Sequence, residues 1–259
     1  MSSAPGSPAP DAMQAEFDTV AQWTEQAVAA LGQEYAVAAA CRGSGSPAGL
    51  AWLGESLDLQ PGTRLLDAGA GVGGPAAYAA ERFGVEPLLV DPMTGACVAA
   101  RRLFGFPTVA SWSQQLPLRE DSFEATWCLG VLSTTTEKAA LLRELHRVLV
   151  PQGRLGLLDV MQQSAELPEQ PDGNAFATRA ELAALLESAG FLVVEEVDAT
   201  QLPPTPVTWQ ARLDRVDEVL AQTHADSPHW QDAERQSALM GRLLAEDHLR
   251  TVLLHAVAT

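Results

Sequence analysis

Cysteine is scarce: Cys41, Cys97 and Cys128 are the only three in 259 residues. They form no C-x-x-C pair and cannot all be joined to one another. That excludes a disulfide framework and the usual zinc spacings, and points to a reducing interior. Basic residues are few as well, 16 Lys and Arg against 33 Asp and Glu, for a formal charge of −17. Phosphate contacts need clustered Lys and Arg, so no nucleic-acid partner is expected, and an anionic membrane is disfavoured on the same ground. No segment approaches the roughly 18 consecutive apolar residues of a membrane span. The opening run Met1 to Pro10 lacks the basic patch and apolar core of a secretory leader, so a cytoplasmic protein with a disordered tail over residues 1–12 is expected. Internal repeats and coiled-coil heptads are missing too.

What remains is a globular composition, 47% hydrophobic and 19% charged. Its length suits one α/β domain with a cap, or two small domains.

The most informative stretch runs from Arg64 to Pro75. Arg64-Leu65-Leu66-Asp67 reads as a short apolar strand ending on a carboxylate. Glycines follow, whose backbone can turn sharply and approach a ligand because no Cβ intervenes. Pro75 then suits a first helical turn, where its missing N–H has no partner to lose. Gly69-x-Gly71-x-x-Gly74 satisfies the dinucleotide fingerprint, which sets a pyrophosphate on a helix N-terminus. Asp67 stands against that reading, since a carboxylate at short range repels a doubly anionic pyrophosphate. It suits a ligand that carries an ammonium and a sulfonium. A tight strand–helix turn with no ligand is the plain alternative.

A second carboxylate ends the next apolar run, Leu88-Leu89-Val90-Asp91. In open α/β folds the ligand lies at the carboxyl ends of strands, beside the switch in strand order. Asp91 stands where it can accept both ribose hydroxyl protons, and Pro92 and Met93 follow where an adenine face would pack.

Strands and helices alternate from here, as a parallel sheet requires. Helices are expected over Phe17–Ala40, interrupted near Gly32, and over Ala48–Leu57, Pro75–Phe83, Thr94–Phe104 and Glu137–Val150. Strands are expected at Pro87–Asp91, Thr108–Ser111, Ala125–Leu129, Arg154–Val160 and Phe191–Val197. Thr134-x-x-Glu137 and Thr178-x-x-Glu181 read as capping boxes. After Leu202-Pro203-Pro204-Thr205-Pro206 a helical pair is expected, then a last strand at Thr251–Ala258.

The pattern Asp67-x-Gly69-x-Gly71-x-Gly73 resembles motif I of the class I S-adenosylmethionine-dependent methyltransferases. Leu116-Pro117-Leu118, Asp121-Ser122-Phe123-Glu124, the run Leu141 to Leu149, and Pro151-Gln152-Gly153-Arg154-Leu155 follow in the same family order. Together they resemble the subgroup with ubiquinone/menaquinone, sterol and small-metabolite enzymes, over about Leu65 to Val197. The resemblance implies an α/β, Rossmann-like class I methyltransferase fold: a seven-strand mixed sheet, helices on both faces and a helical cap. Its parts would be an N-terminal helical lid at 13–60, a cofactor-binding core at 61–200, a cap insertion at 201–250 and the last strand at 251–259.

The implied cofactor is S-adenosyl-L-methionine, the implied activity methyl transfer to a small, largely apolar acceptor. Asp67, Gly69, Gly71 and Gly73 would frame the methionine end, and Asp91 the ribose. Pro92 and Met93 would meet the adenine, with Trp112 and Ser113 where many relatives carry an Asp. Cys128 joins this set, as does Arg42, which could grip the methionine carboxylate by paired charge-assisted bonds. Phe17, Trp23, Trp209 and Trp230 are the candidate acceptor wall, and Phe17-Asp18 matches an aromatic–Asp pair that closes over the cofactor in relatives. Histidines that some relatives place after strand four are replaced by Leu132-Ser133-Thr134-Thr135-Thr136. The catalytic candidates are therefore Asp159, at the end of strand five, and His229 in the cap. No carboxylates or histidines near Asp159 have metal-ligand spacing. The acceptor atom and the oligomeric state stay open. A cofactor-binding cyclase or rearrangement catalyst on the same fold is the second reading, an NAD-dependent oxidoreductase the third.

Overall fold

The computed structural model describes residues 10–164 and 166–259. Of the expected tail, residues 1–9 lie outside the described ones, and Pro10 already opens the first helix. Helix α1 (Pro10–Leu31) ends at Gly32, which takes φ 129°, and α2 (Ala36–Ala40) and α3 (Pro47–Ser56) complete the N-terminal helices.

The core then alternates: β1 (Arg64–Ala68), α4 (Gly74–Phe83), β2 (Glu86–Asp91), α5 (Thr94–Phe104), β3 (Thr108–Ala110) and β4 (Phe123–Leu129). Next come α6 (Lys138–Val148), β5 (Leu149–Gln162), α7 (Arg179–Ser188) and β6 (Phe191–Asp198). Two 18-residue helices, α8 (Val207–His224) and α9 (Pro228–Ala245), precede the last strand β7 (Leu249–Ala258).

The seven strands lie in the order β3-β2-β1-β4-β5-β7-β6, all parallel except β7, which runs antiparallel to both neighbours. Strand order reverses at β1, between β2 and β4, and opens the crevice where such sheets bind ligands. This is the class I methyltransferase fold.

Alternation along the strands explains the two apolar layers. Leu66, Cys128, Leu155 and Leu157 pack with α6 and α7 on one face, while Leu65, Trp127, Leu158 and Leu253 meet α3 and α4 on the other. A third cluster joins α1 and α2 to α5, α8 and α9 through Val28, Leu103, Val216, Leu220 and Trp230.

Two local expectations change. Thr134 caps nothing: its Oγ1 donates to Val131 O at 2.8 Å, and α6 starts at Lys138 with no side-chain cap. Thr178 and Glu181 do form a reciprocal box at the start of α7. The strand expected from Arg154 begins earlier, at Leu149, so Pro151–Gly153 lie inside β5. Gln152 takes φ +64° there, and the register against β4 shifts between Phe123 and Ala125, a bulge that lets α6 run straight into the strand.

Candidate functional site

The tips of β1 and β2 bring Asp67 and Asp91 to one crevice, both buried, with the glycine turn between them. Gly69, Gly71 and Gly73 all adopt positive φ, +78°, +53° and +85°. At Gly71 an added Cβ would meet nothing within 4 Å, so the turn is open on the side a ligand would take. Gly74 is glycine for another reason. A Cβ there would lie 2.4 Å from the backbone carbon of Ala40, so α2 could not pack against the start of α4.

Asp91 builds the turn as well as lining it. Its Oδ2 accepts the Gly71 N–H at 2.8 Å and its Oδ1 the Met93 N–H at 2.9 Å. Burial raises its pKa, and these two N–H groups oppose the rise. Asp67 is pushed up to about 7, first by burial and then by the Asp91 charge, against one backbone N–H from Ala76. Its Oδ2 is buried and has no protein partner. A carboxylate that is costly to ionise alone becomes favourable beside a cation. These residues fit the methionine end of a sulfonium nucleoside.

Around the crevice, Pro92 and Met93 are half-buried and Ser113 is buried, while Trp112 is 49% exposed. Cys128 is fully buried in the layer with Leu66 and Leu141, and burial holds its thiol pKa far up. Arg42 turns to Asp217 of α8 and forms an ion pair with it.

The N-terminal helices are pinned differently from the expectation. Asp18 Oδ1 accepts from Gly95 N at 2.6 Å and Ala96 N at 3.2 Å, so it caps α5, close enough for its charge to act on Asp91. Phe17 beside it is 45% exposed. Trp23 stacks on His224 of α8 with ring centroids 3.8 Å apart, and Trp230 is buried in the same layer. Trp209 meets the Tyr78 ring edge-on, in the apolar layer of α3 and α4. These aromatics bind the terminal helices to the core, a packing role that spacing along one helix does not distinguish from a substrate wall.

Asp159 sits inside β5, three residues before its end, and is 1% exposed. Its Oδ1 accepts the Ser133 N–H at 3.1 Å from the turn after β4, and its Oδ2 is buried without a partner. Burial moves its pKa up to about 6, opposed by backbone N–H groups and the Lys138 charge. Lys138 is the chain's one lysine and went unnoticed in the sequence reading. Its ammonium donates to Leu132 O at 2.6 Å and to Thr135 O, stapling the turn that Asp159 holds from below. His229 lies half-buried in the first turn of α9. Among the described residues, no cluster of three His, Cys, Asp or Glu could hold a metal ion, and no helix is long and apolar enough to cross a membrane.

Comparison with known proteins agrees with this geometry. Residues 66–157 match the family model described as a methyltransferase domain. The methyltransferase GfsG of Streptomyces halstedii is 32% identical over 114 residues, 41% of this chain and 41% of its own length. The ubiquinone/menaquinone biosynthesis C-methyltransferase UbiE of Stenotrophomonas maltophilia is 32% identical over 120 residues, 43% of this chain and 47% of its own. The chain thus spans less than half the length of these curated relatives. Among solved structures, the [4+2]-cyclase SpnF superimposes with a TM-score of 0.74 at 20% identity, over 99% of each chain. The fold and the crevice define a class I methyltransferase domain. The likeness to the methyltransferase-domain family is carried by residues 66–157, a little over a third of the chain.

Proposed function

We propose that this protein binds S-adenosyl-L-methionine between Asp67 and Asp91 and directs methyl transfer to a small, largely apolar acceptor. The observation that carries the reading is the buried, unpartnered Asp67 Oδ2 beside an open Gly71. Asp67 holds the ammonium end, the Gly69–Gly73 turn lets the backbone approach, and Asp91 uses its remaining lone pairs on the ribose hydroxyls. Pro92, Met93, Trp112 and Ser113 flank the adenine. Arg42 serves the methionine carboxylate only by exchanging Asp217 for it.

When bound, the cofactor supplies a methyl group on a positively charged sulfur, open to in-line displacement. The protein's part is to position the acceptor, keep water away and remove a proton where the acceptor carries one. Asp159 Oδ2 is our candidate for that proton, with His229 second. Trp23, Trp209 and Trp230 shape the acceptor side through the terminal helices they anchor, and the exposed Phe17 is our further candidate for contact with the acceptor.

A second reading is favoured by one observation, the full-length likeness to a [4+2]-cyclase, terminal helices included. On that reading the cofactor is held and its methyl is not transferred. Calorimetric titration with S-adenosylhomocysteine tests the shared claim, and no binding overturns both readings. Methyl-labelled cofactor with an acceptor panel then separates them: labelled product supports transfer, and a rearranged product that retains no label supports the cyclase.

A further inference from the structure

A cavity of about 470 Å³ opens where the carboxyl ends of β5 and β6 meet the amino end of β7, on the face of the sheet that carries α3. Leu158, Leu202 and Leu253 form its floor, and Pro203 and Pro204 one wall. Leu158 precedes Asp159, so strand alternation sends the two side chains to opposite faces. The cavity therefore lies across the sheet from Asp159, and two strands away from the glycine turn.

Its lining is unusual for this molecule. The chain carries a formal charge of −17, yet no residue around the cavity is charged. A cation finds no carboxylate there, and an anion finds no Arg or Lys. The polar groups are hydroxyls, from Ser46, Thr200, Thr205 and Thr251. Ser46 Oγ already accepts the Gly49 N–H at 3.1 Å, which leaves its hydrogen to donate, while Thr200 Oγ1 is spent on Asp198.

Two glycines border the cavity and let its leucines pack closely. Gly49 lies within α3 at an ordinary helical φ, where alanine is the better helix former. A Cβ there would come within 3.0 Å of Leu253 Cδ2. Gly45 takes φ +111°, which itself favours glycine, and a Cβ there would come within 3.0 Å of Leu158 Cδ1. Pockets for small molecules are mostly apolar, carry a few placed polar groups, and span roughly 300–1,000 Å³.

We propose that this cavity is a second small-molecule site, taking a neutral, largely apolar molecule that bears hydroxyl or carbonyl oxygens. It is separate from the cofactor crevice and does not rest on the methyltransferase reading.

The test titrates the full chain with three probes of one shape, 2-naphthol, 2-naphthoate and 2-naphthylmethylammonium, by calorimetry and saturation-transfer NMR. The neutral probe should bind at least about tenfold more tightly than either ion. Thr251→Trp on the floor strand and Thr205→Trp on the proline loop should each weaken it about tenfold or more. Both variants should keep S-adenosylhomocysteine affinity within about twofold, which shows that they fold. Equal binding of the charged probes, no binding of 2-naphthol, or 2-naphthol binding that both variants leave intact overturns the proposal. Failure of wild-type protein to bind S-adenosylhomocysteine would sink the methyltransferase reading and leave this one standing, with folding of the variants then checked by thermal melting.

Discussion

Asp91 Oδ2 and the Gly71 N–H, 2.8 Å apart, join the tip of the second strand to the turn that follows the first. The residue assigned to the ribose is thus also the one that shapes the glycine turn. Asp91→Ala removes an acceptor from two backbone N–H groups at once, each worth roughly 1–3 kcal/mol when buried and unsatisfied. Affinity for S-adenosylhomocysteine should drop about 100-fold or more, and the melting temperature should drop with it. Asp91→Asn keeps the shape but sets an amide N–H against Gly71 or Met93, so it should rescue little. Unchanged affinity in both variants, measured by calorimetry, would remove Asp91 from the site.

Asp67 predicts the pH dependence. Its pKa is raised from 3.8 to about 7, so the fold favours the neutral acid. The stability linked to it is fully present below the unfolded value and is lost as pH rises through about 7. Binding of an ammonium runs the other way, because the ionised form attracts it. Affinity for S-adenosylhomocysteine should therefore climb between pH 6 and pH 8, by up to about tenfold per unit on the acid side. Proton release on binding should be visible in buffers of different ionisation enthalpy. Asp67→Asn should bind weakly with a flat profile, and a flat wild-type profile would refute the role given to Asp67.

Asp159 and Lys138 share one turn from opposite sides. Asp159→Asn keeps the Ser133 N–H partner and removes the proton acceptor, so turnover should fall roughly 10²–10⁴-fold with cofactor affinity intact. Lys138→Met acts at one remove. It frees the Leu132 and Thr135 carbonyls and takes away the charge that lowers the Asp159 pKa. The acidic limb of the pH–rate profile should move upward from about 6, which loss of stability alone would not produce. An acidic limb that stays in place would assign Lys138 to folding only.

The core was legible because its signals are local. Asp67, the glycines and Pro75 are contiguous, and Asp91 closes an apolar run whose neighbour in the sheet follows from chain order. The missed features need partners far along the chain. Asp18 reads like a lid residue until α5 places Gly95 and Ala96 against it, 77 and 78 positions away. Arg42 finds Asp217 at a separation of 175, which no spacing rule reaches. Cys128 is carried by the resemblance alone, and its strand parity points its side chain into the apolar layer with Leu66 and Leu141. Lys138 had a usable signal, being the only lysine of 259 residues and lying just beyond strand four.

Two glycine substitutions in helices should differ in sign. Alanine exceeds glycine in helix propensity by about 1 kcal/mol, and neither Gly74 nor Gly241 has a positive φ that would forbid it. At Gly241 of α9 a Cβ meets nothing within 4 Å, so Gly241→Ala should raise the melting temperature by roughly 1–4 °C. At Gly74 the same Cβ falls 2.4–2.6 Å from backbone atoms of Ala40 and Cys41, which cannot rotate away. Overpacking of that kind costs roughly 1–3 kcal/mol, so Gly74→Ala should lower the melting temperature despite the better propensity. Because α2 leads directly to Arg42 and α4 starts at the glycine turn, cofactor affinity should fall as well. A Gly74→Ala protein as stable as wild type would mean that α2 does not pack on α4 as described.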